Sequence, residues 1–265
     1  MYQAPPVVEV NQSHGTPLPV IATLPHSGRY LPPEIAAHMA PRHVHWLKNT
    51  DWYLNELYSF LPELGVTTVS ATHSRYVVDV NRNPNLTRPG EWSKSAVTLL
   101  TDMGEPVYLA PPREDEAIAR IKQYHEPFHR ALREQLQVVL AIHGRALLLD
   151  LHSFMGPTEY DVCLGNLRQA TTTAKTFEAV CAAFRGRGFD VGDNNPYAGG
   201  YIVKEHHRPG QVESLLVELR YPNYLDCATI DDPRPPSFES NRIAEAATRV
   251  RSVLEVLFNE LYRDA

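Results

Sequence analysis

Four stretches of the sequence end an apolar run in residues able to do chemistry. They are Leu24-Pro25-His26-Ser27-Gly28-Arg29, Val78-Asp79-Val80-Asn81-Arg82-Asn83-Pro84, Leu149-Asp150-Leu151-His152-Ser153-Phe154 and Leu216-Val217-Glu218-Leu219-Arg220. Apolar runs of this kind read as buried strands. In open α/β sheets, ligands bind beyond the carboxyl ends of the strands, so two histidines, a carboxylate and an arginine would share one rim. A lone histidine after a strand, such as His26, is ordinarily structural. His152 gains weight from the strongly buried run before it. Glu218 lies among Leu215, Leu216, Val217 and Leu219. A carboxylate there must be paired, with Arg220 or another arginine, or else be metal-bound or proton-shifted. Arg82 beside Asn81 either caps a loop or suits bidentate recognition of a carboxylate. Together, two imidazoles and one carboxylate form a common catalytic zinc shell that leaves a place for water. Zinc brings the pKa of bound water towards neutrality, and a nearby carboxylate can then take its proton. An arginine supplies substrate anchoring or oxyanion stabilisation.

Other motifs compete for attention. His125-Glu126-Pro127-Phe128-His129 matches H-E-x-x-H, whose histidines share one helix face in metalloproteases. Pro127 inside the motif removes a helical N–H bond and clashes in its turn, at about 3 kcal/mol. The segment is therefore expected to be a kinked helix with partly exposed histidines. No G-x-S-x-G, G-x-G-x-x-G or P-loop occurs, which leaves serine catalysis and nucleotide binding without support. His43, His45, His206 and His207 are expected on the surface or in loops, with His206-His207-Arg208 able to line a pocket mouth.

These residues need a scaffold, and the pattern supplies one. Strands are expected at Pro19–Leu24, Val66–Ala71, Tyr76–Val80, Arg145–Leu151 and Val212–Leu219. Helices are expected at Glu34–Met39, Asp51–Leu64, Glu114–His143, Ala174–Phe184 and Ser237–Tyr262. Residues 1–18 and 81–112 read as irregular. Strands alternating with long helices imply an α/β fold with a largely parallel or mixed sheet covered on both faces. The length, 265 residues, suits a single domain spanning 1–265, with no repeat or linker to divide it. A net charge of −6 argues against a nucleic-acid binder. No apolar run is long enough for a transmembrane helix, and Met1–Pro6 lacks the pattern of a signal peptide. Cys163, Cys181 and Cys227, with no C-x-x-C, exclude a disulfide scaffold and point to a reducing cytoplasm.

The blocks Pro25-His26-Ser27-Gly28, Ser74–Arg82, Asp150-Leu151-His152-Ser153 and Gly199-Gly200-Tyr201-Ile202, in that order, resemble the N-formylglutamate amidohydrolase family. Tyr124-x-x-Pro127-Phe128-His129 also fits that family's long helix. The resemblance covers about residues 20–225. That family is similar in turn to the zinc carboxypeptidases, through His26-Ser27, Asp79–Asn83, Leu151-His152-Ser153 and Glu218-Leu219-Arg220.

The resemblance implies a three-layer α/β/α fold of zinc carboxypeptidase type. It implies a zinc-dependent hydrolase of N-formyl-L-glutamate or a similar N-acyl amino acid, with a place in histidine degradation. By the same resemblance, His26 and His152 bind zinc, Asn81 and Arg82 grip the substrate carboxylate, and Glu218 is the general base. The carboxypeptidase motif H-x-x-E is broken here, because Arg29 stands three residues after His26. The carboxylate ligand is therefore sought elsewhere: Asp51 first, unless it only caps a helix, and Glu34 as the fallback. Arg75 or Arg29 would stabilise the oxyanion. Tyr201 would contact substrate, and Arg29, Arg75 or Arg208 would meet a second substrate carboxylate. Two further readings stand beside this one. One is a carboxypeptidase-like peptidase or another N-acyl amino acid hydrolase. The other is a non-catalytic binding protein, which would need no stoichiometric zinc.

Overall fold

Three of the expected apolar runs form the middle of a sheet, and apart from Arg145 every position in them is buried. A computed structural model describes residues 3–85, 89–156, 158–226 and 234–262. Its strands are β1 (Val8–Asn11), β2 (Val20–Leu24), β3 (Thr67–Ala71), β4 (Ala146–Phe154), β5 (Val162–Gly165), β6 (Val191–Asp193) and β7 (Val212–Arg220). They join in the order β1-β3-β2-β4-β7-β5-β6. Strands β3, β2, β4 and β7 are mutually parallel, as are β5 and β6, while β1–β3 and β5–β7 pair antiparallel. Each residue of β2, β3 and β4 is buried, as expected of strands with both faces covered.

The helices are α1 (Pro33–Ala36), α2 (Pro41–His45), α3 (Leu54–Leu57), α4 (Glu114–Arg120), α5 (Glu126–His143), α6 (Ala174–Arg185), α7 (Tyr201–His206) and α8 (Ser240–Tyr262). Helix α5 lies against β1 to β4, whereas α8 packs on α6 and α3. The apolar stripe of α8 (Ile243, Ala246, Val250, Val253, Leu254, Leu257) has the spacing of a one-sided helix and is buried throughout. Among the described residues, no helix is long and apolar enough to cross a membrane.

Several expectations are corrected. Tyr76–Val80 is not a strand but a buried series of turns, tied down where Tyr108 donates its hydroxyl to the Tyr76 carbonyl. Residues 51–64 are not one helix. Tyr53 is left-handed at φ 58°, α3 lasts four residues, and a 3₁₀ turn follows at Leu61–Leu64, with Pro62 near its start. Asp51 therefore stands outside any helix and caps none. Residues 1–18 contain β1, and the short β5 and β6 form where the sequence pattern implies no strand. Pro127 does not sit inside one regular α-helix over 114–143. A π-helical turn at Ile121–His125 precedes it, and the Glu126 N–H reaches five residues back to the Ile121 carbonyl. Pro127 thus falls near the start of a new α-helical stretch, where its missing N–H costs little.

Candidate active site

The parallel register brings the chemistry together. His26 follows the end of β2, His152 lies in β4 and Glu218 in β7, and residues 152 and 218 are direct register partners. The Asp51 N–H donates to the His26 carbonyl at 3.0 Å, which draws the 49–53 loop to the same edge. Gly28 permits a close chain crossing here, since a Cβ would lie 2.4 Å from the Thr72 carbonyl carbon.

His26, Asp51 and His152 each offer one ligand atom, and these atoms lie within 4.8 Å of one another. His152 Nδ1 is 3.1 Å and His26 Nδ1 3.8 Å from Asp51 Oδ2. Each imidazole is backed by a carboxylate through its other nitrogen. His26 Nε2 meets Asp79 Oδ1 at 2.7 Å, and His152 Nε2 meets Asp150 Oδ2 at 3.0 Å. When each Nε2 donates to its carboxylate, both Nδ1 lone pairs face Asp51. This arrangement prepares imidazoles for a metal ion.

Charge makes the same case. Asp51 and Asp150 lie close enough to act on Glu218, while Asp79 faces the guanidinium groups of Arg75 and Arg82. Two imidazole lone pairs beside a carboxylate need a positive charge between them, supplied by a divalent cation or by a proton on His152. Burial alone would depress His152, but Asp150 and Asp51, aided by Glu218, hold it well above the usual histidine value. His26 goes the other way, to about 4, through burial and the nearby Arg75. The donor set, two imidazole nitrogens and one carboxylate oxygen converging on one point, fits a divalent metal ion.

Two residues without an expected role complete this frame. Asp79 accepts from Arg75 Nη2 at 2.6 Å as well as contacting His26. Burial opposes its ionisation, yet Arg75 and His26 hold its carboxyl well below the usual range. Asp150 accepts from Thr23 Oγ1 at 2.7 Å and from Asn81 Nδ2 at 3.2 Å. Both aspartates sit within apolar runs, the same signal that singled out Glu218.

Above this frame lies a cleft of about 1260 Å³, lined by His26, Asp51, Arg75, Asn81, Arg82, Trp92, His152, Tyr201, Lys204 and Glu218 among others. Glu218 Oε2 and Arg75 Nε are buried and have no hydrogen-bond partner among the described residues. Burial, reinforced by Asp51 and Asp150, drives the Glu218 carboxyl up to about 8, against the pull of His152 and Arg75. Arg75 is fixed by Asp79, by the Asn49 carbonyl at 3.1 Å, and by stacking 4.3 Å over the Trp92 ring. Arg82 is held through Nε to the Trp92 carbonyl and through Nη1 to the Asn81 carbonyl.

Other candidates lie elsewhere. The Asn81 amide is engaged on Asp150, and its Oδ1 accepts the Ile202 N–H at 2.8 Å. It lines the cleft as part of the frame. Arg29 is exposed, packs near Trp52 and Tyr53, and is absent from the cleft lining. Glu34 is exposed on α1, away from the ligand cluster. Arg208 does not line the cleft, and His206 is buried rather than at its mouth. His43, His125 and His129 are also buried, contrary to expectation. Among the described residues, no second metal-ligating cluster accompanies His26, Asp51 and His152. Cys163 and Cys181 are free and buried, while Cys227 lies outside the described residues.

Comparison with known proteins adds an independent line. A sequence profile described as N-formylglutamate amidohydrolase matches residues 18–225. The chain is 31% identical over 257 residues to an N-formylglutamate deformylase of Pseudomonas aeruginosa, covering 91% of this chain and 92% of the relative. It is 28% identical over 230 residues to the Pseudomonas putida protein of the same description, covering 80% and 84%. In fold, it is similar to the crystal structure of an N-formylglutamate amidohydrolase from Ralstonia eutropha. That match has a TM-score of 0.78 and 24% identity, covering 96% of this chain and 97% of the other.

Proposed function

The chain belongs to the N-formylglutamate amidohydrolase family, and we propose that it hydrolyses the formyl amide of N-formyl-L-glutamate, releasing formate and L-glutamate. The observation that carries this reading is the pair of buried, unpartnered atoms in one cleft, Glu218 Oε2 and Arg75 Nε, beside the His26–Asp51–His152 cluster. An acceptor and a cationic donor flanking a ligand set are the parts that amide hydrolysis needs.

His26, Asp51 and His152 would hold one zinc ion, which when bound polarises the acyl oxygen and makes water acidic. Glu218 takes the proton of the attacking water. Its raised carboxyl value suits a group that must accept a proton and release it again near neutral pH. Arg75 donates to the oxyanion as the amide carbon becomes tetrahedral. The C–N bond then breaks, and Glu218 passes its proton to the departing amine nitrogen. Arg82 anchors a substrate carboxylate at the cleft wall, Tyr201 flanks it, and Asn81 holds the frame beneath. The reading includes a cytoplasmic setting, which the free thiols of Cys163 and Cys181 suit, and the formylglutamate step of histidine degradation.

The cleft is larger than a single formylated amino acid requires, which favours a second reading. That reading is a peptidase or N-acyl amino acid hydrolase with a longer substrate. A panel of N-formyl-L-glutamate, N-acetyl-L-glutamate, N-formyl-L-leucine and carboxypeptidase dipeptides separates the two. The formylglutamate reading predicts the highest kcat/KM for N-formyl-L-glutamate. A higher value for any dipeptide would replace it with the peptidase reading.

A further inference from the structure

The H-E-x-x-H motif takes no part in the ligand cluster, yet both its histidines are buried and aimed at one loop. His125 Nε2 lies 2.9 Å from the Arg82 carbonyl, and His129 Nε2 lies 2.8 Å from the Val80 carbonyl. We propose that this motif is a two-point hydrogen-bond clamp, in which His125 and His129 hold the carbonyls on either side of Asn81 and thereby set the positions of Asn81 and Arg82 in the cleft.

The physical need is plain. Residues 80–82 form turns outside any strand, so their carbonyls have no ladder partner. A buried carbonyl without a donor is costly, and the long helix supplies one to each. The π-turn at Ile121–His125 sets the register of the motif, and the two rings lie with centroids 4.3 Å apart. The tautomer of His129 is fixed by the Val80 carbonyl, which can only accept and so places the proton on Nε2. The neutral ring then accepts at Nδ1 from His206 Nε2, 2.8 Å away. His206 ends α7, whose Ile202 N–H is capped by Asn81 Oδ1. Gly200 leaves room for this contact, since a Cβ there would fall 2.5 Å from Asn81 Oδ1. The clamp, Asn81 and α7 thus close a ring of contacts around the base of Arg82.

The functional consequence rests on the reading of Arg82 as the substrate-carboxylate anchor. The test uses His125→Ala, His129→Ala, their Gln counterparts and Arg82→Ala, with L-glutamate as the binding probe. Amide exchange of the peptide 77–85 is followed in parallel by mass spectrometry. The clamp predicts at least tenfold faster exchange in the Ala variants and a tenfold weaker L-glutamate Kd. It also predicts a KM rise that exceeds any fall in kcat. The Gln variants, which keep a donor, return towards wild type. If an Ala variant does not fold, wild-type-like exchange in the matching Gln variant supports the clamp. Unchanged exchange in folded Ala variants overturns it. So does a Gln variant as impaired as Ala, or loss of a bound zinc equivalent from a Gln variant. An unchanged Kd in Arg82→Ala removes the anchor reading alone, and the exchange data still decide the clamp.

Discussion

His152 on β4 and Glu218 on β7 are register partners on neighbouring parallel strands, so their side chains rise side by side from the same face of the sheet. Asp150, two residues before His152, shares that face and holds the imidazole from behind. On the proposed function, this strand pair would supply a ligand, its support and a proton acceptor.

Glu218→Gln removes the acceptor and keeps the shape. Turnover is expected to fall by about 10²–10⁴-fold, the usual range for a general base. Zinc content should be unchanged. Stability should hold or rise, because a buried carboxyl driven up to about 8 is replaced by a neutral amide. Wild-type-like kcat in this variant removes Glu218 from the chemistry.

Asp79→Asn tests support of the ligand cluster. It weakens the hydrogen bond behind His26 and the ion pair with Arg75. Zinc affinity is expected to drop about 10–100-fold, read by competition with a chromogenic chelator. An affinity equal to that of wild type would show that Asp79 has no hold on the site.

The two cleft arginines should separate kinetically. Arg75→Lys loses the fixed fork over Trp92 and is expected to lower kcat about 10²–10³-fold. Arg82→Ala should act mainly on KM. Swapped phenotypes would reverse the assignments of oxyanion donor and substrate anchor.

Acid should weaken the fold through two buried histidines in contact, His129 on α5 and His206 on α7. His206 is lowered to about 4 by burial and by Arg133, and His129 lies well below the ordinary value through burial and its histidine neighbours. At His206 the unfolded chain binds a proton near the ordinary value of 6.5, while the folded chain leaves the ring unprotonated until about pH 4. The stability contributed by this site is therefore fully present above about pH 6.5 and is lost as pH falls through the window towards 4. Chelator-treated protein should show a falling Tm between pH 7 and pH 5, with a shallower slope in His206→Gln. Parallel slopes would mean that His206 contributes nothing to the acid sensitivity.

The central strands are legible because β2, β4 and β7 each carry a run of apolar residues (Val20–Leu24, Ala146–Leu149 and Leu215–Val217), and the polar residues at or just past those runs mark His26, His152 and Glu218. Asp51 could be named as a candidate, but the tertiary contact that delivers it, its N–H on the His26 carbonyl, leaves no local pattern. Tyr76–Val80 looks like a strand because its residues are β-branched and aromatic. Its turns exist to deliver Asp79 and Asn81 inward, a tertiary override of local preference. Asp79 and Asp150 were findable, since each is a carboxylate in an apolar run. The burial of His125 and His129 was not, because the partners are backbone carbonyls more than forty residues away. Strands β5 and β6, four and three residues long, carry too little periodicity to stand out.

The most direct test is formate release from N-formyl-L-glutamate by the purified protein, before and after stripping with a strong chelator. Formate and L-glutamate are expected in equal amounts, with loss of release on stripping and recovery when zinc is restored. No release by zinc-loaded protein, or full release by protein shown to be free of metal, would contradict it.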